Sequence, residues 1–343
     1  MLDRNLPPGQ KPQINLSRST TGRMWLVFCC AGLGVLQSAL SDGGASLMVA
    51  LTALCSAIPA EFIFTWRKNG FAKIKDGSAA ASAMVLALLL PNRIHPLYAA
   101  LGALFAMVVV KYSFGGLGSN WLNPSLGGWL FVRFSWPGVF NKALEGASSG
   151  IVTPSGEAVV SALDGKVTAF FNSTVFRVTG AELPSGYIDL MFPETPGIIA
   201  DRGLLALFLG VILITAFRVG RSWAPAVFLA VFAILVRFAG AVDALPWEGD
   251  VLYALCSGGV IVTAFILAVE PVSGAKSGAG VLFTMVLAAI LSWIFRYKAF
   301  ELYGGFLAIA LVNAFTPVIR LLEGQLLYSR KKRMKEAIAR DLA

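Results

Sequence analysis

Three carboxylates stand where an apolar chain tolerates them least. Asp76 and Glu270 lie at the edges of apolar segments, and Glu61 lies within one. A charge at such a depth is costly unless it is paired, caps a helix or serves a permeating ion. Asp76 and Glu270 therefore read as members of an ion path or as caps on half-helix N-termini. A second stretch, Phe114-Gly115-Gly116-Leu117-Gly118-Ser119-Asn120-Trp121-Leu122-Asn123-Pro124, interrupts an apolar run. Its glycines let backbone approach a neighbour or ligand closely, and Asn123-Pro124 can end one helix and begin the next. Irregular backbone at membrane depth survives only when buried in protein or lining a cavity. The stretch is a pocket wall or a tightly packed interfacial loop. A third stretch, Glu145-Gly146-Ala147-Ser148-Ser149-Gly150-Ile151-Val152-Thr153-Pro154, belongs to a long polar run between two apolar halves.

Other chemistries find no residues. The single histidine, His95, sits between Pro91 and Pro96 and reads as a surface-loop residue. A Ser/His/Asp set and a His-based metal site are thereby disfavoured. Cys29, Cys30, Cys55 and Cys256 lie in apolar spans without metal-ligand spacing and read as small packing residues. No Gly-rich phosphate loop precedes a Lys-Ser/Thr pair. No catalytic residue and no metal ligand is assigned, so any chemistry comes from a bound cofactor or from partner subunits.

What positions these residues is a membrane scaffold. The 343 residues are 57% hydrophobic and 14% charged, with mean hydropathy +0.73. A soluble domain carries about 25% charge, so the composition points to an all-α, polytopic integral membrane protein in a lipid bilayer. The net charge of +9 does not indicate nucleic acid, because Lys and Arg cluster in short connections and at both ends.

Spans are expected at Trp25–Leu40, Ala45–Phe64, Ser78–Leu90, Leu97–Val110 and Leu126–Phe140. Five more follow at Gly203–Phe217, Ala224–Ala241, Val251–Val269, Gly280–Ile294 and Gly305–Leu322. About ten crossings put both termini on one face, which the basic clusters mark as cytoplasmic. The organisation is a cytoplasmic tail (1–23), a first membrane half (24–140), an extracytoplasmic loop (141–200), a second half (201–322) and a basic cytoplasmic tail (323–343). The loop has three basic against six acidic residues, as an outer loop should. Arg296 and Lys298, in an expected outer connection, break the pattern. Asp76-Gly77-Ser78 before an apolar run and Pro91 is echoed by Ser257-Gly258-Gly259 before an apolar run, Glu270 and Pro271. Gly115-Gly116 ahead of Asn123 and Pro124 is echoed by Gly304-Gly305 ahead of Asn313 and Pro317. The echo suggests two inverted five-helix repeats whose short or broken helices meet near the midplane.

In this order the motifs resemble the D subunit of the Rnf ion-translocating electron transport complex, and its relative, the B subunit of the sodium-pumping NADH:quinone reductase. The resemblance rests on Asp76-Gly77-Ser78 with Leu88-Leu89-Leu90-Pro91, and on Phe114-Gly115-Gly116-Leu117-Gly118 with Asn123-Pro124-Ser125. Ser135-Trp136-Pro137, Glu270-Pro271-Val272-Ser273 and Gly304-Gly305-Phe306 through Asn313 complete it. It covers roughly residues 60–320. In that family a Thr in an acidic-Gly…Thr-Pro motif of the extracytoplasmic loop carries FMN through a phosphoester bond. Here the resemblance implies Thr153, in a motif with Glu for Asp and Ile151-Val152 for Ala, one residue longer. Asp164-Gly165-Lys166-Val167-Thr168 is a weaker match that offers Thr168. The resemblance further implies a non-covalent riboflavin in the membrane domain. Gly115, Gly116, Trp121 and Asn123 are its expected binding residues, and Phe114, Trp129 and Trp136 are stacking surfaces nearby. Membrane and peripheral subunits of an Rnf-type complex are the implied partners, and the inner membrane the location. Electrons would pass from a low-potential donor towards NAD, coupled to Na+ or H+ movement, with little turnover by this chain alone. A small-solute transporter or a non-redox scaffold of similar fold is the alternative.

Overall fold

The computed structural model describes residues 20–66, 74–116, 118–145, 162–174, 186–193, 195–217, 219–239, 250–270, 273–299 and 301–341. Apolar runs without internal polar partners satisfy their backbone as helices, and the described residues contain no strand. Four helical stretches are long and apolar enough to cross a membrane: Thr20–Ser41, Ala45–Thr65, Gly278–Tyr297 and Gly304–Gln325. At 1.5 Å per residue, 20 residues reach about 30 Å, the thickness of a hydrocarbon core. The protein is a multi-pass membrane protein, as its composition predicts.

Helix α1 (Thr20–Ser41) and α2 (Ala45–Thr65) are joined by a tight turn. There Asp42 accepts from the Gly44 and Ser46 amides, and Ser38 and Ser46 share a 2.6 Å hydrogen bond. Helix α3 (Ser78–Leu89) is buried at every residue except Ser82. At about 18 Å it is too short to cross. It starts from Gly77, whose φ of +74° only glycine adopts cheaply, with the Asp76 carboxylate accepting the Ser78 amide at 2.7 Å. Gly77 is the N-cap itself, and Asp76 lies one residue before it. Helix α4 (Pro96–Phe105) begins with His95 as its exposed N-cap, and continues as a π-helical segment, Ala106–Tyr112. Lys111, expected in the interruption between helices, is therefore a buried helical residue.

Asn123 caps α5 (Pro124–Ser135), its side chain accepting from the Ser125 and Leu126 amides. The expected single segment Leu126–Phe140 is two helices, because Pro137 disfavours helical geometry at Trp136, and α6 (Pro137–Ala143) starts anew. The central polar run contains α7 (Ala162–Thr174), α8 (Tyr187–Met191) and α9 (Ile199–Arg202). Just before α9 the chain returns to the end of α3: the Ile199 amide donates to Leu90 O and the Asn92 amide to Gly197 O.

The second half holds α10 (Leu204–Ala216), α11 (Ala224–Ala239), α12 (Val251–Cys256) and α13 (Val260–Val262). A second π-helical segment, Thr263–Leu267, prolongs α13, and α14 (Gly278–Tyr297) and α15 (Gly304–Asp341) follow. The expected span Val251–Val269 is broken at Ser257-Gly258-Gly259, and the basic tail is helical as far as Asp341. The halves pack through α10 on α1, where a Cβ at Gly203 would lie 2.2 Å from Gly34 O. Such contacts exist only because both positions lack side chains.

Candidate functional site

The polar side chains converge on a cavity of about 380 Å3 between the halves, in the size range of small-molecule sites. The first half contributes Ser78 and Val85 of α3, Lys111 of the first π segment, and Asn120 and Asn123. Phe265 and Ile266 of the second π segment, Val269, Glu270 and Lys276 come from the second half. Arg23 and Val27 of α1 close it. Each π segment thus supplies a wall. A π turn carries one residue more than an α turn and re-aims the side chains after it, a device common at functional sites.

Lys111 is 1% exposed. Its ammonium donates to Glu61 Oε1 at 2.5 Å and to Ser78 Oγ at 2.6 Å, while Tyr112 donates its hydroxyl to Glu61 Oε1 at 2.8 Å. The expected intramembrane carboxylate Glu61 is therefore a paired one. Burying either charge alone would be prohibitive, and the pair with its two hydroxyl partners solves the desolvation problem. Glu270 lies beside Asn123 in the cavity wall. With its oxygen committed to the α5 cap, Asn123 has its NH2 left to bond the Glu270 carboxylate. Ser273 donates to Glu270 Oε2 at 2.9 Å. Burial nevertheless pushes the Glu270 carboxyl up to about 7, with Ser273, Asn123 and the charge of Lys276 opposing the shift.

Of the residues expected to bind a cofactor or an ion, Asn123 and Glu270 share this wall. Asp76 stands one step behind it, holding Ser78. Gly115, Gly116 and Trp121 do not line it: Trp121 is 40% exposed and meets Phe114 edge-on. Trp129 is buried against Phe140 and Phe306, and Trp136 packs on Tyr98 and Phe131. Phe265 is the ring in the cavity wall instead. Sequence reasoning passed over Lys111, although a lysine closing the apolar run Met107-Val108-Val109-Val110 carried the signal.

A second polar knot fixes the α12–α13 break. Gly258 and Gly259 both take φ of +67°. Their amides donate to Asp201 at 3.0 and 2.8 Å. Arg296 donates to Ala254 O, Ser257 O and Ser257 Oγ. The residue that broke the expected charge pattern is thus a buried structural cation, not a loop charge. In the polar run, Asp164 accepts from the Gly186, Ile188 and Asp189 amides at the start of α8, and Thr168 donates its hydroxyl to Asp164 at 3.0 Å. Thr153 lies outside the described residues.

Residues 9–327 match the model of the NQR2, RnfD, RnfE family. The chain belongs to that family. Its relatives include the D subunit of the proton-translocating ferredoxin:NAD(+) oxidoreductase complex of Clostridium ljungdahlii, 25% identical over 90% of this chain and 91% of the relative. The D subunit of the Na(+)-translocating ferredoxin:NAD(+) oxidoreductase complex of Acetobacterium woodii is 28% identical over 99% of this chain and 100% of the relative. The D subunit of the ion-translocating oxidoreductase complex of Alcanivorax borkumensis is 28% identical over 84% of this chain and 86% of the relative.

Proposed function

We propose that this chain is the flavin-carrying membrane subunit of an ion-translocating ferredoxin:NAD-type oxidoreductase complex. Family membership and relatives aligned along almost their whole length support the complex. The observation that carries the flavin reading is the cavity itself. It joins Asn123 and Glu270 of opposite halves, is partly apolar, and offers Arg23, Lys111, Asn120 and Asn123 as polar lining residues. A heterocycle with donors and acceptors along one edge suits such a lining. Riboflavin fits that description: Asn120, Asn123 and Lys111 would offer it hydrogen bonds, and Val27, Val85 and Phe265 apolar contact. Bound there, it would supply one-electron transfer chemistry, while these residues orient it and exclude water.

A covalent FMN on the polar loop belongs to the same reading. Thr168 is buried and its hydroxyl engaged with Asp164, so attachment there would first have to break that hydrogen bond and expose the side chain. That favours Thr153. Na+ or H+ coupling draws on Glu270, whose carboxyl titrates near neutrality, and on Asp76, which holds Ser78 in the wall. The two left-handed glycines, Gly77 and Gly259, that start buried short helices support the inverted repeats; about ten crossings, with both termini on the cytoplasmic face of an inner membrane, belong to the same reading.

Intact mass and in-gel flavin fluorescence of protein purified from its own host test the reading. A mass excess of FMN minus water, lost in Thr153→Ala, together with acid-extractable riboflavin, is the expected result. Absence of both flavins would turn the assignment towards a transporter or scaffold. Glu270→Gln is expected to reduce ion flux in the assembled complex, and unchanged flux would remove Glu270 from the ion path.

A further inference from the structure

The buried ammonium of Lys111 has three N–H donors. Two are directed at Glu61 Oε1 and Ser78 Oγ. Lys111 also lines the cavity, and the π turn that carries it aims the side chain inward at a depth where a lysine is otherwise expelled. Its counter-ion is not free to follow a ligand. Glu61 Oε1 is held by Tyr112 and by Lys111 itself, and Ser78 donates to it at 3.3 Å. The arrangement is an ammonium held by a restrained carboxylate and a hydroxyl in the wall of the cavity, with a third N–H beyond those two bonds.

We propose that Lys111 donates this third N–H to the redox ligand of the cavity and stabilises the negative charge that the ligand gains on reduction, with Glu61 setting how much of the ammonium charge the ligand feels. The proposal rests on the reading of the cavity as a flavin site. One electron arrives from the low-potential donor of the complex. No bond to Lys111 forms or breaks, and its proton stays on Nζ. In a site of low dielectric such a fixed charge acts strongly. Removing the cation disfavours the reduced ligand, while neutralising Glu61 unmasks the cation and favours it. A purely structural role for the pair would not give opposite signs.

The test uses the full chain purified in detergent with Thr153→Ala and Thr168→Ala, so that only non-covalent flavin titrates. Spectroelectrochemical midpoint potentials are compared for this background and for Lys111→Gln, Lys111→Arg, Glu61→Gln and the Lys111→Gln/Glu61→Gln double variant. Lys111→Gln should lower the potential by at least the about 59 mV that corresponds to a tenfold change in a one-electron equilibrium. Glu61→Gln should raise it, and the double variant, which restores neutrality, should fall between. Flavin lost from Lys111→Gln but kept in Lys111→Arg also supports the contact. Shifts of equal sign in both single variants, an unchanged potential in Lys111→Gln, or flavin lost from every variant overturns the proposal and leaves the flavin assignment standing. A background protein that holds no extractable flavin overturns the assignment, and the role of Lys111 with it.

Discussion

Asp201 and Arg296 close opposite sides of one helix break. Asp201 takes the amides of Gly258 and Gly259 at the start of α13, and Arg296 takes the last carbonyls of α12 at Ala254 and Ser257. The carboxylate sits at the positive end of one short helix and the guanidinium at the negative end of the other, the placement that both helix dipoles favour. An interrupted helix leaves unpaired amides and carbonyls in apolar surroundings, and here two side chains from distant segments satisfy them.

Arg296→Ala should therefore be severely destabilising, by about 3–5 kcal/mol, because it strands the Ser257 and Ala254 carbonyls and removes a positive charge that acts on buried Asp201. Arg296→Lys should recover part of the loss, since an ammonium reaches one or two of the three acceptors but lacks the planar fork. Thermal unfolding in detergent reports both. Equal stability of Arg296→Ala and the parent would show that water replaces the guanidinium in the break.

Backbone contacts make a second, sharper comparison. Gly203→Ala would put a Cβ 2.2 Å from Gly34 O, a rigid neighbour, and should force α1 and α10 apart at a cost of about 1–3 kcal/mol. Gly138→Ala, in α6, meets nothing within 4 Å and should be neutral or stabilise by up to about 1 kcal/mol. Gly203→Ala should melt below the parent, and Gly138→Ala at or above it.

How much of this the sequence disclosed depends on which forces decide each element. Long apolar runs fix α1, α2, α14 and α15 through backbone desolvation alone, and their spans were legible to within a few residues. The short helix α3 was legible too, because Asp76-Gly77 and Pro91 punctuate it. Asn123 and Glu270 could be picked as polar residues at the edges of apolar runs. What local pattern could not show is pairing across the chain. The Lys111–Glu61 contact spans 50 positions, and the Arg296–Ser257 contact 39. A charge whose partner lies that far away has the local pattern of a loop charge, as Arg296 does. The π segments leave no mark of their own in an apolar run, so Phe265 and Lys111 could not be aimed at a cavity before the fold was known.

Asp164 gives a prediction for the polar run. Its carboxylate receives three amides of the α8 start and the Thr168 hydroxyl. Asp164→Ala should therefore release α8 from α7 and raise protease sensitivity around both helices several-fold, while Thr168→Ala, which removes a single donor within α7, should have a much smaller effect. Limited proteolysis followed by mass mapping of the cut sites distinguishes them. Equal sensitivity of the two variants would mean that the hydroxyl, not the amide cluster, holds the contact.

The last prediction concerns pH, and its sign follows from Glu270. An ordinary glutamate titrates near 4.5, and burial raises the Glu270 carboxyl to about 7. The folded protein therefore holds this proton more tightly than the unfolded chain. The stability it contributes is fully present below about 4.5, and is lost as pH rises through the window to about 7. Above that window the carboxylate is charged in a mostly apolar cavity, where Asn123, Ser273 and Lys276 offset only part of the desolvation. Melting temperatures recorded from pH 5 to pH 8 should fall with pH in the parent and follow a shallower slope in Glu270→Gln, which is neutral throughout. The two should diverge most near pH 8, with the glutamine variant the more stable. Parallel slopes would mean that the cavity solvates the carboxylate, and that Glu270 is as accessible to water as a surface residue.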